Sequence, residues 1–264
     1  MMYLSQLLID TGGNPDRPRP GRLWLNNIYN VHRRLSMAFP MRKRKEGDPR
    51  FLQPFDPADF EKRQFLFRVD NNTDGENQRA MVLVQSSLPP DWDWAFQNAT
   101  GFLAAPPQVK EYDPQFSAGQ RLRFRILVNA SVKRKIDELR EGPGGKEKTG
   151  RVLHKRVALT WDTNSNPKDA VAQWFAAKAG RLGFTPGETE LVSLGWVYGS
   201  KPEPRGNSPR RENEYRPLRY RSALLEGYLT VDDAFLFREA LEKGIGSAKG
   251  MGFGLLSVVP ASDA

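Results

Sequence analysis

No cysteine occurs among the 264 residues, which removes disulfides, thiolate metal sites and thiol nucleophiles together. Histidine is almost as scarce, with His32 and His154 the only two, so a metal centre built on several imidazoles is excluded as well. Acidic residues fall in scattered pairs such as Asp232 with Asp233, not at spacings that assemble a carboxylate cage around a hard cation. Chemistry without a metal or any other cofactor is the expectation. Long apolar runs are also missing: none approaches the roughly 18 to 20 residues that span a bilayer. Residues 1–10 lack the basic leader and small-residue cleavage site of a signal peptide. A soluble chain with a cytoplasmic address and no membrane partner is expected.

Positive charge is abundant. Forty Lys and Arg against 31 Asp and Glu give a net charge of +9, the electrostatic footprint of a polyanion binder, although a basic surface can also be merely solvated. The length suits two small domains, each burying its own core. A proline-rich passage at 106–114 marks the boundary. The expected units are 1–115 and 116–264.

In the first half, residues 3–9 read as a strand. Leu25, Ile28, Val31, Leu35 and Ala38 recur at three and four residues, which predicts one amphipathic helix over 23–39, ended by Pro40. The charged segment 41–62 reads as an exposed loop, and 63–69 with 79–86 as a hairpin across an Asn, Asp and Gly cluster. In the second half, Leu122, Phe124, Ile126 and Val128 alternate with Arg121, Arg123 and Arg125, a strand with one apolar and one basic face. Residues 140–150 read as a loop. Asn166, Pro167 and Asp169 open a helix that Gly183 closes. A strand at 190–197, a basic loop or hairpin tip at 198–217, a strand at 218–231, a helix capped by Thr230 or Asp232 and a strand at 255–259 complete the chain. Each half thus reads βαββαβ, with the fourth strand of the first half faint. The predicted class is α+β, as two tandem ferredoxin-like (RRM-like) domains.

Three constellations carry candidate chemistry. Tyr29, His32, Arg33 and Ser36 lie three or four residues apart and share one helix face. A phenol, an imidazole and a guanidinium so grouped supply what metal-free RNA cleavage needs: a base for the 2′-hydroxyl, an acid for the leaving 5′-oxygen and a cation for the phosphorane. The alternative is a partly exposed structural histidine. The glycines at 244, 246, 250, 252 and 254, with Lys249 among them, can bring backbone amides close to a phosphate or form an ordinary helix-to-strand loop. They do not match a dinucleotide fingerprint, because a helix precedes and a strand follows. Finally, Arg121, Arg123, Arg125, Lys133, Lys155, Arg156, Arg210, Arg211 and Arg219 form a distributed basic surface suited to an A-form phosphate backbone. His154, within its basic segment, suits RNA contact or plain surface placement.

Several stretches resemble the CasE family, the CRISPR RNA-processing endoribonucleases of type I-E Cascade complexes. They are Met2-Tyr3-Leu4-Ser5, Tyr29-Asn30-Val31-His32-Arg33-Arg34-Leu35-Ser36, Arg121-Leu122-Arg123-Phe124-Arg125 through Asn129, Lys155-Arg156-Val157 and, most specifically, the run from Gly244 to Ser257. The resemblance implies a protein that binds the repeat stem-loop of precursor CRISPR RNA and cuts at the 3′ base of the hairpin. It further implies that the product is kept within Cascade beside the other subunits, and that the free protein is a monomer. His32 and Tyr29 are implied to be catalytic. Arg33, Arg34, Lys249, Gly250 and Gly252 join the basic residues above as the implied RNA contacts. One departure is visible: some members carry a lysine five residues after the histidine, where this chain has Met37, and Arg33 or Arg34 is expected to supply that cation. A non-catalytic RNA-hairpin-binding subunit is the alternative.

Overall fold

The computed structural model describes residues 1–12, 20–40, 65–71, 79–136, 153–160, 166–202 and 215–261. Five helices and ten strands are described: β1 (Met2–Asp10), α1 (Pro20–Leu25), α2 (Ile28–Ser36), β2 (Phe65–Asn71), β3 (Arg79–Ser86), α3 (Trp92–Phe96), β4 (Gln108–Tyr112), β5 (Arg121–Val128), β6 (Ser131–Ile136), β7 (Leu153–Ala158), α4 (Pro167–Ala179), β8 (Phe184–Pro202), β9 (Tyr215–Val231), α5 (Ala234–Lys243) and β10 (Leu256–Pro260). The first sheet runs β2-β3-β1-β4 and the second β10-β5-β9-β8, both antiparallel. Numbered within each half, both orders are 4-1-3-2, so the chain is α+β with two tandem ferredoxin-like units. The ribbon β6–β7 is inserted between the first strand and first helix of the second unit.

The period-2 reading of β5 holds: Leu122, Phe124, Ile126 and Val128 are buried, and Arg121 and Arg123 are exposed. Asn166 caps α4 through its side chain with Pro167 in the first turn, and Asp233 rather than Thr230 or Asp232 caps α5. The expected single helix over 23–39 is broken. Asn27 takes extended backbone and accepts from Tyr29 N–H, starting α2 afresh, because an Asn side chain offers the backbone a cap that competes with helix continuation. The proline-rich passage contains β4, a mostly exposed edge strand beside β1, and the chain crosses between sheets over 113–120. Of the basic loop or hairpin tip expected over 198–217, the described ends are paired strand: Gly199 pairs with Leu218 and Pro202 with Tyr215, and residues 203–214 lie outside the described residues.

Two cores result. Leu7, Ile9, Val31, Leu35, Phe39, Phe67 and Val82 centre the first; Phe124, Ile126, Phe175, Phe184, Leu225 and Phe237 centre the second. Arg68 of β2 lies in the seam between them, 3% exposed. Its Nε donates to both Asp70 carboxylate oxygens at 2.9 and 3.0 Å. Its Nη1 reaches across to Ser257 Oγ at 2.9 Å and Arg125 O at 3.2 Å. Gln85 Nε2 adds a second crossing, to Leu241 O at 2.8 Å.

Removing a partner from a buried ion pair leaves the other charge poorly matched, and without Arg68 the carboxylate of Asp70 keeps the longer contact to Arg125. Arg68→Ala should therefore lower unfolding stability by roughly 3 to 5 kcal/mol. Urea denaturation checks this: the midpoint should fall with the slope preserved, and a loss below about 1 kcal/mol would contradict the seam's role.

Candidate active site and RNA interface

The site forms on α2, whose inner face buries Ile28, Val31 and Leu35. That burial turns Tyr29, His32, Arg33 and Ser36 towards an open groove of about 860 Å³, also lined by Leu23 and Met37. The helical spacing read from sequence thus does bring this set together. The His32 ring stacks on Phe65, centroids 5.4 Å apart and planes 23° from parallel, with Phe67 at 6.4 Å. Both phenyl rings come from β2, so the imidazole has an aromatic backing that local sequence could not reveal.

The glycine-rich segment closes the other side. Lys249–Met251 form a single 3-10 turn, and a Cβ added to Gly250 would lie 3.7 Å from His32 Cε1 and 3.8 Å from Nδ1. The turn therefore lies against the Nδ1 edge of the imidazole, and Nδ1 is buried from solvent. His32 is also one of the residues that line the groove. Gly252, with φ +82°, packs where a side chain would meet Phe67 at 3.2 Å, so close approach and backbone conformation both call for glycine there. Ala248 takes the left-handed conformation with φ 56°, uncommon for a residue bearing a Cβ. Lys249 Nζ donates to Lys243 O at 2.6 Å, at the carboxyl end of α5.

A clamp that sequence reading missed fixes the amino end of α2. Asn27 Oδ1 accepts from Tyr29 N–H at 3.1 Å and from Ser200 N–H at 3.0 Å. Its Nδ2 donates to Ser200 Oγ at 2.9 Å and to Ser200 O at 3.3 Å. One side chain thus caps the helix and anchors the β8–β9 hairpin to it. Gly199 gives the close approach, since a Cβ there would lie 3.0 Å from Asn27 Oδ1.

The two arginines after His32 diverge. Arg33 is exposed at the groove. Arg34 also lines the groove, but its Nη1 donates to Ala95 O at 2.9 Å and Asn98 Oδ1 at 2.6 Å, with its guanidinium 5.8 Å from the Phe102 ring. Partial burial, with the neighbouring Arg33 charge, pushes the Arg34 pKa below its ordinary value. Arg34 is thus engaged in holding α2 to α3.

The remaining predicted contacts lie away from this groove. Arg125 pairs with Glu226 and lies 3.5 Å from Asp70; Arg123 is 3.7 Å from Glu226; Arg121 lies over the Tyr228 ring at 4.7 Å. Lys133 is exposed on β6 and pairs in register with Arg156 of β7, where Lys155 and His154 also lie. Arg219 rests on Trp196 of the hairpin. Arg210, Arg211 and the charged segment 41–62 lie outside the described residues. Among the described residues, no three His, Asp or Glu side chains converge as metal ligands would, and no helix is long and apolar enough to cross a membrane.

Asn27→Ala should cost about 1 to 2 kcal/mol, the upper part of the range for a lost cap, because the hairpin anchors go with it. Asn27→Asp should recover the cap and the Ser200 N–H bond. Paired urea titrations measure the difference, and equal losses for the two variants would contradict the clamp.

Comparison with known proteins agrees with this architecture over nearly its whole length. The model of a family described as CRISPR associated protein matches residues 2–260. The CRISPR-associated endoribonuclease Cse3 of Thermus thermophilus is 29% identical over 261 residues, covering 98% of this chain and 100% of the relative. The CRISPR system Cascade subunit CasE of Escherichia coli K12 is 25% identical over 259 residues, covering 98% and 100%. Among solved structures, Thermus thermophilus Cse3 bound to an RNA representing a pre-cleavage complex superposes with a TM-score of 0.63 at 27% identity, covering 98% of this chain and 99% of the other.

Proposed function

This chain belongs to the family of CRISPR-associated proteins, and from that premise we propose that it is an endoribonuclease that binds the repeat stem-loop of precursor CRISPR RNA and cuts at its 3′ base without a metal ion. Residues 1–115 carry the catalytic helix, and 116–264 supply the basic RNA-gripping surface and the glycine turn. The cut RNA is held for assembly with the other Cascade subunits in the cytoplasm, and the free protein is a monomer. The similar proteins named as an endoribonuclease and as a Cascade subunit support this reading. The observation that carries it is the seating of the Gly250 turn from one half against the His32 imidazole from the other, beside a groove that holds Tyr29 and Arg33.

The reaction follows from those groups. The ribose 2′-hydroxyl attacks the adjacent phosphorus, its proton passes to a base, and the 5′-oxygen leaves with a proton from an acid. The products are a 2′,3′-cyclic phosphate and a 5′-hydroxyl. His32, through Nε2, and Tyr29 divide the two proton transfers. Imidazole is suited to the task because its unperturbed pKa of about 6.5 lets it give or take a proton near neutrality. Where some family members place a lysine, Met37 lines the groove, and Arg33 supplies the positive charge that offsets the negative charge gathering on the phosphorane. Arg33 does so rather than Arg34, whose guanidinium is spent on Ala95 and Asn98.

In excess chelator the parent protein should cut its repeat stem-loop RNA. His32→Ala should bind that RNA with similar affinity and cut it about 100- to 10,000-fold more slowly, the usual contribution of a positioned acid or base. Binding without cleavage by both proteins would leave a non-catalytic RNA-binding subunit. The arginines should separate by assay. Arg33→Ala should slow single-turnover cleavage about tenfold or more with little change in melting temperature, whereas Arg34→Ala should lower stability by about 1 to 3 kcal/mol through the stranded Ala95 carbonyl. Unchanged cleavage in Arg33→Ala removes that cation from the mechanism.

A further inference from the structure

The proposed cleavage chemistry makes no use of the aromatic and cationic ladder on the long hairpin. Trp196 and Tyr198 are two residues apart on β8 and pair with Arg221 and Arg219 on β9, so all four side chains leave the same side of the ribbon. The Arg219 guanidinium sits 3.8 Å from the Trp196 ring centroid and 6.0 Å from that of Tyr198, and Arg221 lies 5.1 Å from Trp196. Arg221 Nη1 also donates to Leu159 O at 3.2 Å, which fixes it beside the indole. Trp196 nevertheless keeps 37% of its surface exposed and Tyr198 55%.

Trp196, though not Tyr198, borders a cavity of about 570 Å³ that is also lined by Arg219, by the polar groups of Asn129, Ser131 and Ser247, and by the apolar Val157 and Ala158. Ser131 and Ser247 hydroxyls are 2.7 Å apart, and Ser247 Oγ donates to Asn129 O at 3.3 Å. The volume falls in the range of roughly 300 to 1,000 Å³ typical of small-molecule sites. Three chemistries meet here: a flat π surface, an exposed guanidinium and a patch of hydroxyl and amide groups. That combination fits one nucleotide, with the base on the indole, its edge at the polar wall and its phosphate at the cation. Position adds the decisive constraint. Ser247 and Ala248 directly precede the turn whose Gly250 touches His32, so an RNA strand leaving the imidazole across that turn arrives at this cavity.

We propose that the cavity between Trp196 and Ser247 is a subsite for an unpaired nucleotide adjoining the scissile phosphate. The base displaces the Arg219 guanidinium from the indole face, and the freed cation meets the phosphate beside it. The subsite rests on the endoribonuclease reading but adds a selectivity that stem recognition lacks: it rewards an unstacked base next to the cut.

The test uses the full chain and synthetic repeat stem-loop RNAs in which each unpaired nucleotide flanking the scissile phosphate is replaced, one at a time, by an abasic residue. The parent protein should lose about tenfold in affinity for one of these RNAs, within the range for stacking of a base on an aromatic ring. Trp196→Leu should bind intact RNA about tenfold more weakly and show no further loss with that abasic RNA, whereas Trp196→Phe should retain most of the affinity. Independent, additive losses overturn the subsite, as does a parent protein indifferent to every abasic position. The second result needs no variant, so a misfolded Trp196→Leu cannot obscure the answer. A parent protein that neither binds nor cuts the intact stem-loop overturns the endoribonuclease reading instead, which separates the two failures.

Discussion

A guanidinium sealed between two β-sheets sets the geometry of this protein. A buried charge has a desolvation cost of several kcal/mol unless its donors are met, and the acceptors of Arg68 come from both halves: Asp70 on its own strand, Arg125 O and Ser257 Oγ on the other sheet. The sheets cannot slide without breaking several of these bonds at once. The same two segments build the site. Phe65 and Phe67, which back His32, lie three residues and one residue before Arg68. Ser257, its cross-sheet partner, follows the Lys249–Met251 turn that presses on the imidazole edge. Wall and lid of the histidine are thus carried on strands pinned together by one side chain.

The positive charge that marks the sequence is divided by the fold into two populations. Asp70 and Glu226 draw Arg125 and Arg123 into ion pairs, and Ala95 with Asn98 engages Arg34. Those guanidiniums shape the molecule more than they meet a polyanion. Arg33, Lys133 and Arg219 keep exposed positions on α2, the inserted ribbon and the long hairpin in turn, and Arg121 and Arg123 are exposed on β5. Cations spread over several elements suit a binding mode whose affinity falls steeply with salt and that reads the shape of a hairpin more than its base sequence. Net charge alone does not separate exposed cations from paired ones; the folded arrangement does.

Elements governed by local patterning were legible in the sequence. The alternation of β5, the Asn166 cap of α4 and the hairpin of β2 with β3 follow from side-chain period and turn chemistry. So did the common face of Tyr29, His32 and Arg33, because a helix fixes neighbours at three and four residues. Legibility ended where distant partners decide. Apolar spacing continues through Asn26 and Asn27, and it hid a break made by a side chain that Ser200 helps to hold. β4 and the β6–β7 ribbon are rich in charge, and pairing with β1 and with each other makes them strands. The Trp196 and Tyr198 spacing against Arg219 and Arg221 was a usable signal, since a two-residue repeat on both arms of a hairpin puts all four on one face.

Division of the site between halves has a chemical consequence. An imidazole on an exposed helix samples several rotamers, and each lost orientation reduces the fraction of encounters that transfer a proton. Here Phe65 covers a ring face and the Gly250 turn lies beside the Nδ1 edge of an imidazole that lines the groove. The phenyl ring and the glycine turn hold the imidazole while adding no negative charge of their own. For a polyanionic substrate, orientation by apolar contact is the arrangement that keeps electrostatics favourable throughout the groove.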